Sequence, residues 1–472
     1  LVQCRQKAAR MKINWFSPLP PASTDIAHYT TRVLPALSAK ADITLWTDQQ
    51  EWERGLEAHA HVRRYKPESI AWPELNRADL CVYHIGNNPL FHGSIWQLSR
   101  QHRGLIVLHD LRLHHFFDGL YRVKWRDLEG YLAVMERYYG DEGRLDAELC
   151  YRSEAVNINE MAERYPLTKL ATENALGVLV HTREAFELLK AESLCPVAYA
   201  PLPFSAATGP ARVPTSSQSE APDQREQEQI GPDERGTPRD GSPYRLILFG
   251  YLGRNRRLSA VLKALAELPQ KEKFHLDIYG QVLDDQKRLR SEIRALGLKR
   301  LVTVHGFVPE TELDQALAHA HLAINLRYPT MGEASGSQLR IWAHALPSLV
   351  TKVGWYASLP SETVAFVRPR DEEVEDIKSH LGAFLSQPER FRQMGLEGKR
   401  KLLEEHSPES YARAILDFAA ARFGTRMQAR LLAQRAGTLT GGWLQTESQT
   451  ETFRHVAAEI RAMMGNRRSD EG

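Results

Sequence analysis

Glu333 stands in a run of small residues, Gly332-Glu333-Ala334-Ser335-Gly336-Ser337, that leads from an apolar strand into a helix. One carboxylate in such a setting can orient a polar ligand or favour positive charge beside it. The free N–H groups at the helix start attract phosphate. Gly336 and its small neighbours let a ligand approach the backbone closely. A second cluster, Gly250-Tyr251-Leu252-Gly253-Arg254-Asn255-Arg256-Arg257, closes another apolar strand and carries guanidinium groups suited to a diphosphate. Taken singly, these are an ordinary strand-loop-helix turn and a solvated basic turn. Taken together they describe a clamp, with Gly250, Asn255, Arg256 and Arg257 facing the amides of residues 332–337.

Positioning such loops requires strand ends on one edge of a sheet. Residues 11–204 alternate short apolar runs (11–16, 42–46, 80–84, 105–109, 177–181 and 196–200) with helical stretches (26–37, 93–101, 125–139, 151–165 and 184–190). The pattern predicts a mostly parallel sheet covered on both faces. Residues 205–243 are rich in Ser, Pro, Gly and charged groups, too poor in apolar surface to offset ordering, and read as a disordered linker. The alternation restarts at Tyr244 and runs to about 423, predicting a second doubly wound sheet, two closing helices and a cleft between the two domains. Residues 424–472 read as a helical tail, whose Arg426, Arg430 and Arg435 suggest solvated helices or a peripheral contact with a membrane surface. Residues 1–10 precede the first methionine, Met11, and read as a non-native or disordered start.

Composition narrows the classes. The chain has 472 residues and a net charge of +2, a balance without the basic excess of a nucleic-acid binder. Its four cysteines (Cys4, Cys81, Cys150, Cys195) are scattered, which argues against a disulfide framework or zinc site and fits a reducing cytoplasm. Neither a dinucleotide glycine fingerprint nor a P-loop occurs. His109, Asp110, His114 and His115 carry metal-ligand chemistry, but adjacent histidines on a helix face apart, and a core or capping role is expected for His114 and His115.

At this point a resemblance becomes specific. The second half resembles that of retaining glycosyltransferases of family 4, which have the GT-B fold, and the resemblance spans essentially residues 11–420. That family carries a Glu-x7-Glu motif: the first Glu contacts the donor sugar and the second usually meets the ribose. Glu333 matches the first position, with Gly332, Ala334, Ser335, Gly336 and Ser337 as the surrounding amides; Ile341 occupies the second, a departure that removes the ribose contact. Arg256 stands where a lysine is expected and Tyr251 where an arginine is often found. The opening Trp15-Phe-Ser-Pro-Leu-Pro-Pro21-Ala-Ser23-Thr24-Asp25-Ile-Ala-His-Tyr29 resembles that of polysaccharide and mannosyl transferases, with Thr24 or Asp25 replacing a glycine.

The resemblance implies further residues. His109, ending its strand over the cleft, would contact the donor sugar or the reaction centre together with Glu333. Ser23, Thr24, Asp25, Gly86, Asn87, Asn88 and Asp110 would line the cleft on the acceptor side, the asparagines offering donors and acceptors to hydroxyls. His305-Gly-Phe307-Val308 ends a strand where relatives bracket the nucleobase, with core packing of Phe307 as the equal alternative. The expected activity is transfer of a hexose from a GDP- or UDP-linked sugar to a glycan or lipid-linked glycan, with no metal or cofactor, no nucleic acid, and a place in the cytoplasm or at the inner face of the membrane. A noncatalytic sugar-nucleotide-binding or scaffold protein on the same fold is the alternative; a GT-B epimerase or phosphorylase is disfavoured by the lack of a paired catalytic acid and of a cofactor-lysine motif.

Overall fold

A computed structural model describes residues 10–153, 157–192, 194–205, 241–283 and 286–423. The expected non-native start, most of the 205–243 linker and the 424–472 tail lie outside the described residues. Residues up to Arg413 form one compact unit and those from Ala414 onward a second. Two parallel sheets make up the first unit. One runs through β1 (Lys12–Phe16), β2 (Asp42–Thr47), β3 (His61–Arg64), β4 (Leu80–Ile85), β5 (Leu105–Leu108), β6 (Gly177–Val180) and β7 (Val197–Tyr199). Its spatial order is β3-β2-β1-β4-β5-β6-β7. The other holds β8 (Tyr244–Phe249), β9 (Phe274–Tyr279), β10 (Val302–Gly306), β11 (Leu322–Asn325), β12 (Ser348–Thr351) and β13 (Ala365–Val367), ordered β10-β9-β8-β11-β12-β13.

Both sheets are doubly wound, and the central strands are apolar on both faces because helices cover both sides. Leu322, Ala323 and Ile324 of β11, like Leu105, Ile106 and Val107 of β5, are buried along their lengths. In each sheet the strand order reverses direction between the first strand and its later neighbour, β1/β4 and β8/β11. The loops leaving those strands therefore diverge and leave a crevice at the carboxyl edge. The Gly250 loop follows β8 and the Glu333 loop follows β11, so topology alone brings the two halves of the expected clamp together.

Several expected boundaries shift for local reasons. β3 was not anticipated: His61-Val-Arg-Arg64 has one apolar residue and pairs as an edge strand with β2. The 125–139 helix extends over Leu128–Ser153, broken in dihedral at Gly140, and is preceded by a π-helical stretch over Gly119–Trp125. The 151–165 stretch yields a shorter helix, Ile158–Arg164, started by Asn157, whose side chain accepts from Asn159 N. Three helices rather than two close the described chain, Glu373–Ser386, Pro388–Glu405 and Pro408–Phe423; Pro388 and Pro408 take the opening positions where a missing N–H costs nothing.

The helix that carries the small-residue loop, Gly336–Ala343, is braced from behind by the Pro388–Glu405 helix. A Cβ on Gly395 would come within 2.1 Å of the Ala345 carbonyl oxygen, and one on Gly398 within 2.2 Å of the Trp342 ring. The Gly395 neighbour is backbone and cannot rotate away. Gly395→Ala should therefore push the two helices apart and destabilise the protein by roughly 1–3 kcal/mol. Thermal or denaturant unfolding that matches wild type would show that the two helices are not held at this spacing.

Candidate functional site

Two arginine side chains, Arg256 and Arg327, meet at the carboxyl edge of the second sheet, and a third, Arg112, reaches the Gly332 loop from the first sheet. Arg256, in the 3₁₀ turn after β8, is 4% exposed. Its Nη1 donates to Asn325 Oδ1 at 2.8 Å and its Nη2 to Ser337 Oγ at 3.3 Å. Gly250 makes room for it: φ is +114°, and a Cβ there would lie 2.6 Å from Arg256 Nη2. Burial, and then the neighbouring Arg327, pull the Arg256 pKa down to about 10. Arg327 ion-pairs with Glu333 at 2.8 Å. Burial works against the Arg327 charge, but Glu333 first and then Tyr356, Asp25 and Asp110 hold its pKa above the usual value. Arg112 comes from the first sheet's side, donating to Glu184 at 3.3 Å.

Each of these guanidinium groups keeps one N–H that is shielded from solvent and has no protein acceptor: Arg256 Nε, Arg327 Nε and Arg112 Nη1. Buried donors are ordinarily paired. Three unpaired cationic donors near one loop give this region the chemistry to hold an anion.

The carboxylate of Glu333 is fixed on both oxygens. Oε1 takes Arg327, and Oε2 accepts from Thr330 Oγ1 at 2.8 Å and Met331 N at 2.7 Å. Ser335 caps the next helix, accepting from Gln338 N at 3.1 Å, which leaves the amides of Gly336 and Ser337 at the helix mouth. Ala334 packs beside the Leu339–Trp342 cluster. The loop also docks on the first domain: Leu111 N and Arg112 N both donate to the Met331 carbonyl, at 2.9 and 2.8 Å, and Thr182 Oγ1 donates to the Gly332 carbonyl at 3.4 Å. A Cβ on Gly332 would strike Leu111 at 2.6 Å, with Arg112 Nη1 3.5 Å away.

Across the cleft, β4 and β5 end side by side. Asp110 Oδ2 accepts from Asn87 N at 2.8 Å, and Gly86 beside it is closely packed, a Cβ there lying 2.7 Å from the tip of Ile26 and 3.0 Å from that of His92. Burial, and then Glu333, push the Asp110 pKa up to about 7, against the opposing pull of Asn87 N–H and Arg327. The half-buried His109 shares a hydrogen bond with His84, Nε2 to Nδ1 at 2.9 Å. Its pKa lies well below the imidazole norm, through burial first and then His84 and His181.

Other expected residues have different tasks. Arg257 is turned to the buried Glu373, which accepts from its Nε at 2.9 and 3.0 Å, so its guanidinium is not part of the clamp. Asn255 offers its carbonyl to Tyr328 N at 2.8 Å. Asn87 Oδ1 accepts from Phe116 N and Asn88 Oδ1 from Leu90 N, so these oxygens cap local backbone rather than facing a ligand. Thr24 caps the Asp25–Ser38 helix. The Ser23 carbonyl accepts from Tyr251 OH at 2.8 Å, so the tyrosine that replaces an arginine bridges the two domains. Asp25 is exposed and adds negative charge near Arg32, Arg256 and Arg327; burial still holds the first two below the usual value, with Asp25 opposing it. Phe307 is 75% exposed, which overturns core packing as its role, while Val308 packs inward on a cluster that contains the fully buried Ile341. His114 is held between the Tyr165 carbonyl and Tyr131 OH, both at 2.7 Å, as a core residue.

Sequence reasoning missed Arg327, Arg112 and His84. Arg327 lies six residues before Glu333, a spacing that no helix or strand rule pairs. Only the turn of the Tyr328–Gly332 loop brings them together.

With that geometry in view, residues 232–401 match the family model described as Glycosyl transferases group 1, a match that covers the second sheet. No curated protein matches the sequence. Among solved structures, sucrose-phosphate synthase (tll1590) from Thermosynechococcus elongatus aligns over 88% of this chain and 99% of its own, at 17% identity and a TM-score of 0.57. Anabaena Alr3699/HepE in complex with UDP and glucose aligns over 87% and 100%, at 12% identity and a TM-score of 0.55. WaaG, a glycosyltransferase involved in lipopolysaccharide biosynthesis, aligns over 85% and 98%, at 14% identity and a TM-score of 0.50. The fold is GT-B. Among the described residues, no helix is long and apolar enough to cross a membrane.

The raised Asp110 pKa carries a sign. A carboxyl whose folded value lies near 7, above the ordinary value of about 3.9, keeps its proton longer in the folded state. Its burial is tolerated below about pH 4 and costs stability increasingly as pH rises towards 7. Asp110→Asn, which can still accept the Asn87 N–H, should exceed wild type in Tm by ~2–4 °C at pH 8, with the gap shrinking at pH 5. A gap independent of pH would contradict the shift.

Proposed function

We propose that the protein is a retaining glycosyltransferase, moving a hexose from a nucleotide-diphospho-sugar to a saccharide or glycan-lipid acceptor in the making of a surface polysaccharide. The observation that carries this reading is the trio of unpaired guanidinium N–H groups around a loop whose only carboxylate, Glu333, is locked in place. A sugar diphosphate matches that pattern: anionic at one end, rich in hydroxyls at the other. Alr3699/HepE, a structural neighbour with UDP and glucose bound, and WaaG, with its part in lipopolysaccharide biosynthesis, lend support to the donor class and to the product class.

In this reading Arg256, Arg327 and Arg112, with the amides at Gly336 and Ser337, take up the charge that develops on the departing diphosphate. Preorganised cations there do the work that a metal ion would otherwise do. Glu333, unable to rotate, orients the sugar and favours positive charge at the anomeric carbon. The bond from that carbon to the diphosphate oxygen breaks as the acceptor oxygen bonds to the same face. The acceptor's proton passes to the phosphate oxygen that leaves. His109 faces the sugar, and Gly86, Asp110 and the Ser23–Asp25 turn line the acceptor side. Phe307, exposed beyond the stacked Tyr279–His305 pair at 4.1 Å, offers a face to the nucleobase. The donor is GDP- or UDP-linked, and the setting is cytoplasmic, with the acceptor presented at the membrane face.

A noncatalytic sugar-nucleotide-binding role is the second reading. It is favoured by Ile341, which sits in the core where a ribose-binding acid would stand, and by Tyr251, which is spent on Ser23. Incubation with a panel of UDP-, GDP- and ADP-sugars separates the two. Release of nucleoside diphosphate is expected with at least one donor. Glu333→Gln should lower that release by at least about a hundredfold, and Arg256→Ala should lower kcat/KM by about 10²–10³. Saturable binding without release supports the second reading, and unchanged turnover in Glu333→Gln removes that residue from the chemistry.

A further inference from the structure

The His109 imidazole is packed against three other rings. Its backbone N–H donates to the Ile85 carbonyl at 2.9 Å, which fixes the end of the strand but not the side chain. Among the described residues, the rings that meet it are Tyr29, at 4.9 Å between centroids and 89°, His84, at 5.2 Å and 31°, and His181, at 5.3 Å and 45°. All three are buried, whereas His109 is half-buried. A half-buried ring turns about its two side-chain dihedrals unless close-packed neighbours hold it.

Two of the three rings share one backing residue from much later in the chain. Tyr411 lies in the first turn of the Pro408–Phe423 helix and is buried. Its ring is T-shaped on that of Tyr29, at 5.6 Å and 78°, and lies 5.9 Å from that of His181. His84 rests instead on Trp15, at 4.4 Å. Main-chain bonds set the place of Tyr411 independently of these rings. Its N–H donates to the Ser407 carbonyl at 3.1 Å, and Phe204 N donates to the neighbouring His406 carbonyl at 2.7 Å. His406 Nδ1 donates to the Leu202 carbonyl, also at 2.7 Å. The returning segment is thus tied to residues 202–204 before Tyr411 meets Tyr29 and His181. Loss of the Tyr411 ring would open space beside both at once, and packed neighbours relax only partly into such a space.

We propose that Tyr411 is a positioning residue, which acts through Tyr29 and His181 to hold the His109 imidazole in one orientation towards the cleft. The proposal rests on the reading of that cleft as a hexosyl-transfer site in which His109 faces the sugar. Tyr411 itself touches no substrate. The contacts it makes with the other two are ring to ring, so a phenyl group should serve as well as a phenol.

The test is ring ¹³C–¹H correlation of the full chain labelled with ¹³C-histidine, the His109 signals being identified by their loss in His109→Gln. In Tyr411→Leu the His109 ring signals should move towards those of free histidine or broaden, and in Tyr411→Phe they should match wild type. Tyr29→Leu should move the same signals, and it decides the matter where Tyr411→Leu does not fold. In parallel, kcat for nucleoside diphosphate release should fall about tenfold in Tyr411→Leu, with KM for the nucleotide sugar nearly unchanged, and recover in Tyr411→Phe. Leu381→Ala, a truncation in the core of the second sheet, should lower Tm and leave the His109 signals and kcat as they are. Unaltered His109 signals in Tyr411→Leu overturn the proposal. So do moved signals with full kcat, or a Leu381→Ala that moves them equally. The spectrum needs no turnover: a wild-type protein that releases no nucleoside diphosphate counts against hexosyl transfer, while the hold of Tyr411 on His109 is still decided.

Discussion

The ion pair between Arg327 and Glu333 is the constraint around which the cleft is organised. An arginine held mostly out of water next to a second buried arginine is costly unless carboxylates balance it. Glu333 supplies that balance at contact distance, and Asp110 and Asp25 supply it from the other domain. The same pairing immobilises Glu333, because its second oxygen is already committed to Thr330 and Met331. One interaction therefore keeps the cationic site charged and the carboxylate in a single orientation. Neither property follows from the small-residue loop by itself.

The charge arrangement also couples the domains. Asp110 belongs to the first sheet and Glu333 to the second, and after burial it is Glu333 that makes Asp110 harder to ionise, with Arg327 working the other way. An anionic ligand drawn to the guanidinium groups would compete with these carboxylates for the same positive charge, so its arrival and the protonation of Asp110 are linked. Domain contacts made by backbone groups, such as those to the Met331 and Gly332 carbonyls, give that linkage a rigid frame.

Much of this was legible in the sequence because it is local. Apolar runs separated by turns marked twelve of the thirteen strands, and the small residues around Glu333 marked the helix mouth. Arg256 was legible for the same reason, as a cation at the end of a strand. The edge strand β3 escaped because an edge needs few apolar residues. Arg327, Arg112 and His84 escaped because their significance depends on partners from other loops: Glu333 across a turn, Gly332 across the cleft, and His109 on the neighbouring strand. Arg257 misled for the converse reason. A basic residue in a loop reads as available, and nothing nearby in the chain announces that Glu373, more than a hundred residues on, has claimed it.

The Met331 carbonyl has a consequence of a different kind. It receives two main-chain amides from the opposite domain, so this part of the join is written in peptide groups, beside the side-chain contacts of Thr182 and Tyr251. Those two bonds ask for an N–H at positions 111 and 112 and a carbonyl at 331, not for particular side chains. Surfaces joined in this way are free to change their amino acids while keeping their mutual fit.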